Sequence, residues 1–121
     1  MKAGNRTVGA RLRIVLERDI AIGPGKADML ERVAETGSIT AAGKAMGMSY
    51  RRAWLLVSSM NQCFREPLVE TLKGGSGGGG ARLTPLGAEV LARYRRMEAL
   101  TTRAIEPEMA ALREVLAVDE G

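Results

Sequence analysis

Residues 39–58 read ITAAGKAMGMSYRRAWLLVS, and few folds can accommodate that string. Ser38 or Thr40 can cap a short helix over TAAGKAM, Gly47 ends it, and Ser49 caps a further helix from about Tyr50 to Phe64. Two helices joined this tightly need a small residue where they cross and a glycine where the turn demands positive φ. Gly43 supplies the first and Gly47 the second. Ala42, Met46, Met48, Ala53 and Leu56 take the inward apolar positions of the motif, and Trp54, Val57, Met60 and Phe64 are expected to face inward from the longer helix. Alanine is the usual residue at the crossing. Gly43 is expected to fit sterically, at a cost of roughly 1 kcal/mol of helix propensity. The spacing predicts a helix-turn-helix over about residues 39–64.

Its outward side carries the functional signal. Ser49, Tyr50, Arg51 and Arg52 open the longer helix, and a buried or merely solvated helix has no need of a tyrosine and two adjacent arginines there. A helix entering the DNA major groove does, because its first turn meets phosphates and base edges. Three-helix arrangements with such a turn also occur as plain structural modules, so a winged-helix module that binds protein rather than DNA stands as the alternative. Salt dependence separates the two, since binding through several phosphates weakens steeply as salt rises.

The flanks extend the motif. Residues 11–18, RLRIVLER, alternate with Leu12, Ile14 and Leu16 on one side, the period of a half-buried strand. IGPGK reads as a turn, and a helix follows over about residues 26–35, with Ala27, Leu30, Val33 and Ala34 on one face and Gly37 as its stop. After Pro67, LVETLK and ARLT read as two strands. Between them, six of the seven residues 74–80 are glycine. As an interdomain linker this run would leave pieces of 73 and 41 residues, the second near the roughly 40-residue limit for an unaided core. As a hairpin tip it makes a wing over about residues 68–84, where glycine lets main-chain N–H groups approach phosphate, with Lys73 and Arg82 adding positive charge on either side. The run also contains GxGxxG at Gly75, Gly77 and Gly80, but ARLTP intervenes where a dinucleotide fingerprint needs a helix at once.

Thr84 as cap and Pro85 at the first helical position start a long helix striped by Leu86, Val90, Tyr94 and Met97. The stripe continues as Ile105, Met109, Leu112 and Leu116 after Pro107, where a kink or restart is expected. This is more apolar helix than a domain of that size can cover, so a symmetric partner offering the same helix is expected to bury it. The expected fold class is α+β, mainly α. Residues 1–84 form a winged helix-turn-helix, and residues 85–121 a dimerisation helix with an acidic tail.

Composition excludes several chemistries. The 121 residues contain no histidine and one cysteine, Cys63, which falls on an apolar helical face. Imidazole bases, zinc fingers, CxxC pairs and internal disulfides are therefore ruled out, the carboxylates form no suggestive pair, and neither enzyme nor cofactor nor metal site is expected. No apolar run approaches a membrane span and residues 1–7 lack a signal-peptide core, so a cytoplasmic protein with no membrane partner is expected. Residues 1–104 hold 17 Lys/Arg against 9 Asp/Glu, whereas residues 105–121 hold one against five. A basic body of this kind suits a polyanionic partner.

The segments GKADMLERVAETGSITAAGKAMGMSYRRAWLLVSSMN, PLVET, GGSGGGGARLT and LGAEVLARY resemble the N-terminal DNA-binding domain of the ModE family of molybdate-responsive transcriptional regulators. The resemblance covers about residues 10–100, with GSI, MSYRRAW and the glycine-rich wing as its specific motifs. It implies a winged helix of the kind shared with LysR-type regulators, dimerised through the helix after the wing and bound to double-stranded DNA; a two-fold dimer would make the operator an inverted repeat. By that match Ser38, Thr40, Ser49, Tyr50, Arg51 and Arg52 would face DNA, with the wing around Ser76 beside them. Trp54 and Asn61 match too, and read as packing and capping residues. The family's regulators carry molybdate on C-terminal oxyanion-binding domains. Residues 105–121 are acidic and show no strand pattern or glycine-rich turn, so direct molybdate binding is not expected of them.

Overall fold

The computed structural model describes residues 10–73 and 80–117. Ahead of the helix-turn-helix stands a small antiparallel hairpin, β1 (Ile14–Glu17) and β2 (Ile20–Ile22), followed by helix α1 (Pro24–Thr36). Three features depart from the sequence reading. The strand is shorter than expected, and its register shifts between Val15 and Glu17. That bulge breaks the alternation, so Leu12 and Ile14 stay half-buried while Leu16 is half exposed. Strand β2, only three residues long, falls between the expected strand and the expected turn, where the sequence pattern gives no element. Finally, α1 begins two residues early because Pro24 occupies its first position, where its fixed φ suits a helix and its missing N–H costs nothing.

Helix α1 stops at Gly37 (φ 71°), whose N–H donates to the Val33 carbonyl. Ala27, Leu30 and Val33 are buried as expected and Met29 joins them, whereas Ala34 is exposed. Helices α2 (Ile39–Ala45) and α3 (Tyr50–Cys63) follow. Met29, Leu30 and Val33 of α1, Ile39 and Ala42 of α2, and Ala53, Val57 and Met60 of α3 form the main core, closed by Leu68, Val69 and Ala81.

The wing is antiparallel strands β3 (Val69–Leu72) and β4 (Gly80–Leu83), paired Val69 to Leu83 and Leu72 to Gly80. Asn61 on α3 anchors it. Its amide accepts from the Leu68 and Val69 N–H groups and donates to the Val69 carbonyl, so it holds the wing's backbone rather than capping a helix. On the other side, Ala81 N–H donates to the Gly37 carbonyl at 2.8 Å. A Cβ on Gly80 would lie 2.8 Å from that same oxygen, so this glycine is required by packing between the wing and the α1–α2 turn. Gly75, Ser76 and Gly77 lie outside the described residues.

Helix α4 (Pro85–Glu114) runs 30 residues, about 45 Å at 1.5 Å per residue. It continues through Pro107 without restarting. Thr84 caps it, its hydroxyl oxygen accepting from Gly87 N–H at 3.0 Å and its O–H donating to the Pro67 carbonyl at 2.7 Å. A Cβ on Gly87 would come within 2.0 Å of the Leu68 carbonyl, so only glycine lets the helix approach this closely.

The first half of α4 is core of its own chain. Leu86, Val90 and Leu91 pack on the main cluster, and Tyr94, fully buried, joins Ile22 and Ala27 in a second cluster that Met97 flanks. The Tyr94 hydroxyl donates to the Leu12 carbonyl, tying α4 to the hairpin. This takes Tyr94 out of the expected interface, because a side chain enclosed within its own chain offers no surface to a partner, whereas Leu86, Val90 and Met97 are only partly buried. Beyond Met97 neither cluster contains a residue of α4. Leu100, Leu112, Val115 and Leu116 are all more than half exposed.

Candidate nucleic-acid interface

Backbone chemistry sets the α2–α3 corner. Met48 N–H donates to the Gly43 carbonyl at 2.8 Å, and Gly47 takes φ 71°. A Cβ on Gly43 would sit 2.5 Å from the Ala53 Cβ. The crossing therefore has room for one methyl group, and Ala53 fills it. Alanine, the usual residue at this crossing, would clash here, and the helix propensity lost at Gly43 is the cost of close approach.

Both helices are capped by the expected serines. Ser38 Oγ accepts from Ala41 N–H at 3.0 Å, and Ser49 Oγ accepts from Arg52 N–H at 3.1 Å. Tyr50, Arg51 and Arg52 are exposed on the first turn of α3, and among the described residues neither arginine enters an ion pair.

At about 100° per residue, Ala53, Val57 and Met60 point to the core, and Arg51 and Leu55 point directly away from it. Tyr50 and Trp54 fall on one flank, Arg52 and Leu56 on the other. Leu55, 58% exposed, was missed by the sequence reading, although its place one turn after Arg51 could have flagged it. Trp54 was expected inside but is 36% exposed. Its ring stands 6.1 Å from that of Tyr50 at 56°, and it lines a hollow with Ser38, Thr40, Thr71 and Leu72. The start of α2, one flank of α3 and the wing thus meet at one place.

The wing's two basic residues differ. Lys73 is exposed just after β3. Arg82 stands opposite Glu70 in the strand register, and its Nε lies 2.6 Å from the Glu70 carboxylate. Arg82 was expected to be free for a partner, but in this structure its charge is engaged by a surface pair, a kind worth little and readily exchanged.

Hairpin-backed α1, the α2–turn–α3 corner and the two-stranded wing define a winged helix-turn-helix protein. The chain belongs to the bacterial regulatory helix-turn-helix proteins of the lysR family, whose pattern matches residues 26–88, from α1 through the first turn of α4. It is 44% identical over 70 residues to the molybdenum transport protein ModE of Herbaspirillum seropedicae, covering 58% of this chain and 26% of that one. It is 42% identical over 87 residues to the molybdenum-pterin-binding protein MopB of Rhodobacter capsulatus, covering 71% and 32%. With the DNA-binding transcriptional dual regulator ModE of Escherichia coli K12 it shares 34% over 95 residues, covering 78% and 36%. The chain spans well under half the length of each of these relatives.

Proposed function

We propose that this chain is a sequence-specific, DNA-binding transcriptional regulator of molybdenum-related genes, acting in the cytoplasm as a homodimer and not as an enzyme. One observation carries the reading: Arg51 and Arg52 are exposed, and in no ion pair among the described residues, on the capped first turn of the second helix of a helix-turn-helix. Two guanidinium groups kept clear of nearby carboxylates retain their full charge for a polyanion, and their planar forks suit phosphate and guanine edges. The molybdenum connection rests on the names of the relatives. Dimerisation is supported by the far half of α4 and the residues just after it, where Ile105, Met109, Leu112 and Leu116 continue the stripe outside both core clusters and Leu112 and Leu116 are more than half exposed. A two-fold pairing of these helices would carry two copies of α3 and favour an inverted-repeat operator. Molybdate is not proposed as a ligand of these residues.

Selection from a pool of random duplexes tests the reading. Recovered sequences should share an inverted repeat, and binding to it should weaken steeply between low and moderate salt. Replacing Leu112 and Leu116 together by Asp should give monomers by sedimentation and weaken binding to the full repeat more than to one half-site. Recovery of no common sequence, together with salt-insensitive binding, would favour a protein-binding module instead.

A further inference from the structure

On the flank of α3 away from the wing lies a hollow of about 380 Å³ lined by Arg13 ahead of β1, Gly23 and Lys26 at the start of α1, and Met48, Arg52 and Leu56 at the turn and on α3. Three cations from three parts of the chain converge there, and no carboxylate is among the described residues that line it. Arg13 and Arg52 are in no ion pair among the described residues. Lys26 Nζ donates to the Ala21 carbonyl at 2.7 Å, which fixes it at the rim with hydrogens to spare. The stem of Arg13 runs along Gly23, where a Cβ would stand 3.7 Å from its Cγ. The acids of α1 nearest in sequence, Asp28 and Glu31, are engaged by Arg95 on α4. Among the described residues that line the hollow there is no acid to balance the three positive charges, so an oxyanion is the chemistry that fits.

We propose that this hollow binds a DNA backbone phosphate, an assignment that rests on the major-groove reading of α3. A helix lying in the major groove is bordered by two phosphate backbones. The wing, on the Tyr50 and Trp54 flank, is placed for one of them, and the hollow, on the Arg52 and Leu56 flank, is placed for the other. The assignment divides two neighbouring arginines by role: Arg51 faces the base edges, whereas Arg52 joins Arg13 and Lys26 on phosphate. The hairpin thereby becomes part of the DNA-binding surface, outside the residues matched by the family pattern.

The test uses the full chain, its selected duplex and a scrambled duplex, with affinity measured across a salt series. Arg13→Ala should weaken both duplexes alike and make the log–log salt slope shallower by about 0.9, the signature of one lost phosphate contact. Arg13→Lys should restore most of that slope, and Arg52→Ala should behave like Arg13→Ala. Arg51→Ala should instead erode the preference for the selected duplex. Wild-type binding with an unchanged slope in Arg13→Ala overturns this assignment alone, whereas a wild type that binds no duplex removes the DNA reading as well. Inorganic phosphate and sodium molybdate, titrated in melting experiments, address a free anion as the other source. An Arg13-dependent melting shift with no change in DNA slope would overturn the backbone assignment in favour of a small oxyanion.

Discussion

Arg95 on α4 and the Arg51–Arg52 pair on α3 are the same side chain in opposite settings. Arg95 is less than a third exposed and binds Asp28 at 2.9 Å, Glu31 at 3.2 Å and Glu98 at 2.9 Å, joining α4 to α1. Burial works against its charge, yet the hydrogen bonds to Asp28 and Glu98 outweigh that cost and hold the guanidinium pKa above its ordinary value. Arg51 and Arg52 are exposed, with no carboxylate partner among the described residues. Arg82 stands between, exposed and held by Glu70 alone. Basic side chains surrounded by acids hold this chain together, and those without acids are available to another molecule. Net charge cannot make that distinction.

The largest effect should come from breaking the seam. Arg95→Ala leaves three carboxylates without their shared cation, and should cost about 1–3 kcal/mol of stability, less than a fully buried pair because the site is partly solvated. Chemical denaturation measures it, and DNA affinity at a temperature where the variant stays folded should be unchanged. Equal losses of stability and binding would erase the contrast between the two regions.

A second variant asks how far the α2–α3 corner is itself constrained by packing. Gly43→Ala gains up to about 1 kcal/mol of helix propensity. Against this, two backbone-attached methyl groups would meet at 2.5 Å, and neither can swivel away. Overpacking costs about 1–3 kcal/mol, so a net destabilisation of about 1 kcal/mol is expected in thermal melts. A more stable variant would show that the crossing can open without cost.

The smallest effect sharpens the intermediate case. Glu70→Gln removes an exposed partner and should change stability by less than about 0.5 kcal/mol. It should nonetheless strengthen DNA binding slightly and steepen its salt dependence, because Arg82 is released. Weaker binding would mean that the pair shapes the wing rather than restraining a cation.

What could be read in the sequence follows the range of the interactions. The caps Ser49 and Thr84 and the stops Gly37 and Gly47 act within a few residues of themselves and stand where the chain alone places them, and Ser38 is one of the two α2 caps that the sequence allows. The bulge that turns Leu16 outward depends on pairing with a three-residue strand that carries almost no pattern. Trp54 and Tyr94 were misplaced because each depends on which distant element packs beside it. Periodicity makes α4 one continuous stripe. Contact with Ile22, Ala27 and Leu12 is what divides it into a half that packs on its own chain's core clusters and a half that lies outside them. Arg13 and Lys26 gave no signal because their partnership with Arg52 exists only in three dimensions.

The central claim is that the opening turn of α3 reads DNA, and the most direct test is the affinity of Arg51→Ala and Arg52→Ala for the selected operator. Both side chains point into solvent, so circular dichroism and melting temperature should match the wild type. Arg51→Ala should cost about 1–3 kcal/mol of binding and relax the preference at one base pair, while Arg52→Ala should weaken binding on every sequence. Unchanged operator affinity in both folded variants would contradict the account.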